Sequence, residues 1–213
     1  MAGARRPATL YGIADVEMLG AERVEPAIAV MVEAGLGTIQ LRTKRLADRE
    51  LAVLSERLLR RLEAWPGELW IDDRVDLARL LPFAGVHLGQ RDLPPAAARP
   101  LLPAPTAIGW STHDEAQLVA GDADPAADWL ALGPILPTAS KANPDPLVGL
   151  VGLRRLRART AKPLVAIGGL DADSAPRALE AGADAVAVLS ALCRGDVAAN
   201  CRRLLAAVAE WEA

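Results

Sequence analysis

Three polar clusters each follow a short apolar run: Gln40, Leu41, Arg42, Thr43 and Lys44; Asp72, Asp73 and Arg74; and Gly89, Gln90, Arg91 and Asp92. A fourth, Pro137, Thr138, Ala139, Ser140 and Lys141, follows the apolar run 129–136. If the runs are strands, the clusters deliver cations, hydroxyls and carboxylates to separate strand ends. Cations and hydroxyls bind phosphate oxygens, and paired carboxylates bind a hard divalent cation. The mixture suits a magnesium-bound pyrophosphate.

Side chains alternate along a strand, so Gln40, Arg42 and Lys44 share one face, and Leu41 and Thr43 point the other way, toward helices. Stacked charges on an interior face need partners, because unpaired buried charge is expensive. An anionic ligand would supply them; interior or rim carboxylates would serve equally. Asp73 and Asp92 end consecutive runs and would be rim neighbours, two carboxylates that suit octahedral magnesium. Asp92 could instead cap a helix, since Leu93, Pro94 and Pro95 follow it.

The long connection 133–147 holds Thr138, Ser140 and Lys141, and reads either as a functional loop or as a proline-stiffened surface segment. Gly168 and Gly169 follow a seventh run and Ser190 an eighth, a pattern that fits backbone approach to a phosphate or simply a tight turn. Ser111 could touch an anion, and Thr112 is expected to cap the helix that begins near Asp114. His87 and His113 stand alone, so neither is assigned chemistry. No Ser–His–Asp set and no His/Cys metal cluster is present.

The elements that must position these residues are short. Candidate strands are 9–14, 38–41, 69–71, 85–88, 106–109, 129–132, 163–167 and 185–189. Amphipathic stretches at 23–34, 48–64, 175–181 and 197–211 lie between or after them. Strands alternating with helices predict a parallel sheet covered on both faces. Glu33-Ala34-Gly35 and Glu180-Ala181-Gly182 each end a helical pattern ahead of a strand, with glycine where a left-handed residue terminates a helix. Ala84-Gly85 looks like a weaker copy. Units of about 25 residues point to a single (β/α)8 TIM barrel, α/β in class, spanning 1–213 as one domain. The alternative, a doubly wound open sheet, would carry a glycine-rich dinucleotide turn after its first strand, and Gly12-Ile13-Ala14-Asp15 is not one.

Composition narrows the partners. The 213 residues are 52% apolar with a net charge of −3, which argues against a nucleic-acid partner held by a broad positive face. No apolar stretch reaches the roughly 18 residues of a membrane span, and none follows the N-terminal arginines as a signal peptide would. Cys193 and Cys201 have no metal-type spacing and are expected to be reduced, partly buried thiols in a cytoplasmic protein. Of 24 basic residues only Lys44, Lys141 and Lys162 are lysines, and two of these sit in the clusters.

Taken in order along nearly the whole chain, these pieces resemble the thiamine phosphate synthase family. The matching stretches are Gln40–Lys44, 73–78, 86–90, Asp92, Ser111 with His113, Gly133-Pro134-Ile135 with Pro137-Thr138, Lys141, 167–169 and 187–190. The resemblance implies magnesium-assisted coupling of an aminopyrimidine methyl pyrophosphate to a thiazole phosphate, with departure of pyrophosphate first and no protein nucleophile. It implies that Gln40, Leu41, Arg42, Thr43, Lys44, Asp72, Ser111 and Lys141 hold the pyrimidine pyrophosphate, with Arg42, Lys44 and Lys141 acting in catalysis. Thr138, Ala139, Ser140, Gly169, Leu189 and Ser190 would surround the thiazole phosphate, and Asp73 and Asp92 would hold magnesium. Small-molecule substrates and a possible homo-oligomer complete the implied partners.

Four positions depart from the family pattern. Asp72 stands where asparagine is usual, Ser140 where threonine is frequent, Ala14 lacks a hydroxyl common at the first strand's end, and Trp110 is bulky enough to change the pocket. The related thiazole tautomerase, with His113 as proton carrier, and a non-catalytic paralogue binding thiazole or thiamine phosphate are the alternatives.

Overall fold

The computed structural model describes residues 7–138 and 145–212. Eight parallel strands close into a barrel in chain order: β1 (Leu10–Asp15), β2 (Thr38–Arg42), β3 (Glu68–Asp72), β4 (Gly85–Leu88), β5 (Ala107–Thr112), β6 (Trp129–Leu132), β7 (Leu164–Ile167) and β8 (Ala185–Val188). Around it run α1 (Val16–Leu19), α2 (Val24–Glu33), α3 (Asp48–Arg61), α4 (Val75–Leu80), α5 (Pro95–Ala98), α6 (Glu115–Ala123), α7 (Gly149–Arg157), α8 (Ala175–Glu180), α9 (Ser190–Cys193) and α10 (Val197–Glu212). The expected (β/α)8 barrel is therefore what forms. Among the described residues no helix is long and apolar enough to cross a membrane.

The helices follow from local chemistry. In α3, Leu51, Leu54 and Leu58 fall on one stripe and are buried, at about 2 kcal/mol each for full burial. Asp48 and Glu50 lie in its first turn and Arg60 and Arg61 in its last, matching the helix dipole. Gly35 and Gly182 take φ of 99° and 104°, and the residues after them donate back to Met31 and Ala178, which closes α2 and α8 as expected. Gly85 does not repeat this device: α4 ends at Leu80, and Gly85 lies inside β4.

Strand alternation splits the core in two. One set, including Ile39, Leu41, Ile71 and Val86, packs between barrel and helices; the other, including Tyr11, Trp70, Trp129 and Val165, fills the barrel. Glycine makes the interior tryptophans possible. A Cβ at Gly85 would lie 2.3 Å from the Trp70 ring, and one at Gly109 2.3 Å from Trp129. Tyr11, Trp70 and Trp129 meet edge-on with centroids 5.4–6.2 Å apart, making a buried aromatic floor beneath the strands' C-terminal ends. Cys193 and Cys201 are free and buried, and burial pushes both thiols up to about 11.

Candidate active site

The polar residues above that floor come from the strand ends. Gln40 is fully buried, and its Nε2 donates to the Tyr11 hydroxyl at 3.0 Å. One step out, Arg42 donates to Asp15, and its Nε lies 3.5 Å from Asp72 Oδ2. Beyond the strand, Lys44 Nζ donates to Asp72 at 2.8 Å and also to Asp73. Charges thus alternate in a string: Asp15, Arg42, Asp72, Lys44, Asp73. Burial lifts the Asp72 carboxyl above its usual range despite both cations, because Asp72 carries most of the desolvation. Burial opposes the charge on Lys44 too, but Asp72 and Asp73 outweigh it and raise its pKa. The two partners' directions conflict over the charge of the pair. Lys44 is 44% exposed and Asp72 only 8%, so Lys44 stays a cation while Asp72 bears the penalty.

Asp73 and Asp92 meet at the edge of this string. Asp73 adopts φ of 61°, a left-handed conformation costly for a side-chain-bearing residue, and its N–H donates to the His87 carbonyl at 2.8 Å. Asp92 folds back to accept from the Gly89 N–H at 2.7 Å. It is not a helix cap, because Pro94 occupies the position before α5. Burial raises the Asp92 carboxyl against the pull of that amide, and the nearby Asp73 charge adds to the rise. Among the described residues no group of three His, Cys, Asp or Glu forms a metal cage. Two carboxylates leave most positions of an octahedral ion to water and substrate oxygens, the arrangement magnesium favours with phosphates. Arg74 turns away to Asp76 and Asp48.

On the next strands, His87 stacks on Trp129 at 4.9 Å, and its Nε2 is 2.7 Å from Ser111 Oγ. Gln90 donates to the Ser111 carbonyl at 2.6 Å. Thr112 is not the cap: it ends β5, and its hydroxyl donates to the Ala131 carbonyl, while Asp114 accepts from the Gln117 N–H. Trp110 does not alter the pocket, because alternation turns it outward onto the helix layer. Ala14 faces outward as well, so the interior position at the end of β1 belongs to Asp15.

The far side of the mouth is built from backbone. Gly168 and Gly169 have φ of 98° and 71°, and a Cβ at Gly169 would lie 2.6 Å from the Pro137 carbonyl oxygen. Their bareness lets the chain after β6 run alongside β7, with the Leu136 N–H donating to Gly168 at 2.9 Å. Thr138, Leu189 and Ser190 are half-buried. Ala139, Ser140 and Lys141 lie outside the described residues. The structure therefore brings Gln40, Arg42, Lys44, Asp72, Asp73 and Asp92 together, with Ser111 held across from them by His87. It does not bring in the side chains of Leu41, which packs in the outer layer, or Thr43, which donates to Glu17 at 2.5 Å.

Sequence reasoning missed Asp15 and Glu17. Asp15 was legible by parity with Tyr11 and Ile13. Glu17 gave no signal, since its contacts cross to another loop. Burial works against the Glu17 carboxylate, but hydrogen bonds from Thr43 and the Lys44 and Arg45 amides hold its pKa below the usual range. A cavity of about 540 Å³ lies at the opposite mouth, between Leu36, Thr38, Trp65 and Glu68. Thr38 and Glu68 start β2 and β3, Leu36 and Trp65 lie just before them, and the cations and paired carboxylates all lie at the other end.

Comparison with known proteins agrees with this geometry. Residues 10–192 match the family described as thiamine monophosphate synthase. The thiamine-phosphate synthase of Koribacter versatilis is 41% identical over 201 residues, 90% of this chain and 92% of that protein. That of Albidiferax ferrireducens is 40% identical, covering 86% and 84%. The structure of a thiamine phosphate pyrophosphorylase from Pyrococcus furiosus superposes with a TM-score of 0.85 at 30% identity, over 96% of this chain and 97% of that one.

Proposed function

The chain belongs to the thiamine monophosphate synthase family, and from that premise we propose how its residues join an aminopyrimidine methyl pyrophosphate to a thiazole phosphate, yielding thiamine phosphate and pyrophosphate. It is a transferase, of the thiamine phosphate synthase type. The observation that carries the residue-level reading is the convergence of Arg42, Lys44, Asp73 and Asp92 on one barrel mouth.

In this reading Arg42 and Lys44 exchange their carboxylate partners for diphosphate oxygens. Ser111 adds a hydroxyl, and Lys141 adds a third cation on the strength of the family pattern alone. Asp73 and Asp92 would hold magnesium, which when bound neutralises charge on the diphosphate. Gln40 and Asp72 face the pyrimidine edge. The bond between the methylene carbon and the bridging oxygen breaks, its electron pair leaves with pyrophosphate, and the electron-rich pyrimidine stabilises the methylene cation. The thiazole nitrogen then closes the new bond with its own lone pair. The protein supplies charge stabilisation above a buried aromatic floor, not a nucleophile. Thr138, Gly169, Leu189 and Ser190 face the thiazole phosphate, and Ala139 and Ser140 join them on the strength of the family pattern alone. In this reading both substrates are small molecules, and the reaction runs in the cytoplasm.

Nothing favours the alternatives. His113, the proton carrier a tautomerase would use, bonds the Gly133 carbonyl at 2.7 Å and faces Asp145 at 3.4 Å. The test is to mix purified protein with both substrates, with and without magnesium. Thiamine phosphate and pyrophosphate should appear together, and only with the metal. Binding of both substrates without product would overturn the reading, and product in the presence of excess chelator would remove the role of Asp73 and Asp92.

A further inference from the structure

We propose that Glu17, on α1, is a positioning residue for Lys44, an inference that deepens the reading above and rests on it. The β1–β2 register pairs Asp15 with Arg42, so two residues further along each chain Glu17 meets Lys44. The two acids divide the work. Asp15 holds the side chain of Arg42 while capping α1 through the Met18 N–H at 2.9 Å. Glu17 holds the backbone of the loop after β2: its Oε1 accepts from Thr43 Oγ1 at 2.5 Å and from the Arg45 N–H at 3.2 Å, and both oxygens lie 3.1 Å from the Lys44 N–H.

Lys44 is past the end of β2, where no ladder hydrogen bonds fix it. The loop from Thr43 to Ala47 must nevertheless deliver Nζ to the Asp72–Asp73 corner. A lysine side chain has four rotatable bonds, so a loop free to shift would leave its charge spread over several positions. One carboxylate accepting from three successive residues removes that freedom. Glu17 touches no reacting atom and acts only through the loop.

The test compares Glu17→Ala and Glu17→Gln with the unsubstituted protein. Glu17 is exposed, so neither change removes core packing. In the free protein, millisecond hydrogen exchange at the Lys44 and Arg45 amides should rise about tenfold in Glu17→Ala, as local opening becomes easier. In the coupling assay, kcat/KM for the pyrimidine diphosphate should fall roughly ten- to a hundredfold, the scale of a small misplacement, with KM for the thiazole phosphate unchanged. Glu17→Gln, which keeps one acceptor oxygen, should fall between. In a Lys44→Ala background the Glu17→Ala change should cost less than about twofold, because its effect runs through Lys44. Unchanged exchange at 44 and 45, or full additivity of the two substitutions, overturns the inference. Raised exchange alongside an unsubstituted protein that makes no thiamine phosphate would overturn the functional reading and leave the clamp standing.

Discussion

Replacing Lys44 with methionine keeps the aliphatic stem and removes the ammonium, and the structure sets two different magnitudes for the result. The first concerns folding. Lys44 Nζ is 2.8 Å from Asp72, so the variant strips a partner from a carboxylate that is only 8% exposed. Breaking a fully buried pair costs about 3–5 kcal/mol, and an exposed one about 0–1. Lys44 is 44% exposed, and Asp72 keeps Arg42 at 3.5 Å, so the expected loss is about 1–2 kcal/mol. For a chain of this length that lowers Tm by about 2–8 °C and leaves the protein folded at 25 °C.

The second magnitude concerns chemistry. If Lys44 stabilises charge on the departing pyrophosphate, its removal should cost about 3–4 kcal/mol of transition-state stabilisation, a 10²–10³-fold fall in kcat. Coupling rates and thermal melts on one preparation separate the two effects. Lys44→Arg restores the charge but not the point-like donor, and should recover only part of the rate. Turnover within about threefold of the unsubstituted enzyme, in a variant whose Tm has fallen as expected, would show that Lys44 is a structural cation and would refute the argument.

Other outcomes follow from the same geometry. Asp72→Asn removes an anion that competes with diphosphate for Arg42 and Lys44, and should lower KM for the pyrimidine diphosphate about tenfold, consistent with one charge a few ångströms away at the rim; a raised KM in steady-state assays would count against that competition. Gly109→Ala would set a methyl 2.3 Å from Trp129, whose ring is backed by Trp70 and Tyr11, and should destabilise the fold by about 1–3 kcal/mol in urea melts. Asp122 accepts from the Thr160 hydroxyl, which holds its pKa down, with the Ala161 and Lys162 amides adding to the effect. A depressed native pKa stabilises above the ordinary carboxylate value of about 4, and the contribution fades as pH falls through the native value. Asp122→Asn should therefore melt lower than the unsubstituted protein at pH 7, with the gap narrowing in acid; a gap independent of pH would contradict the assignment.

Much of the fold was legible because its signals are local. Alternation in Gln40-Leu41-Arg42, the leucine stripe of α3 and the terminal glycines at 35 and 182 depend only on neighbours within a turn or a pleat. They fixed the strand count, the barrel and the face on which Gln40 and Arg42 lie. Parity also carried the information that Trp110 and Ala14 face outward, although their size and missing hydroxyl drew attention to the pocket instead.

What the sequence determined by itself was the alternation of strands and helices and most of the polar residues at the strand ends, which are written in nearest-neighbour chemistry, and the family, which is written in the order of those pieces along the chain. Only the tertiary structure decided how those residues are wired. It put Asp72 between Arg42 and Lys44, turned Asp92 back onto Gly89, freed Thr112 from the capping role that went to Asp114, and brought Glu17 to the loop of Lys44. The reason is geometric: barrel closure fixes the stagger between strands far apart in the chain, and charge partners are chosen by that stagger, which no run of neighbouring residues encodes.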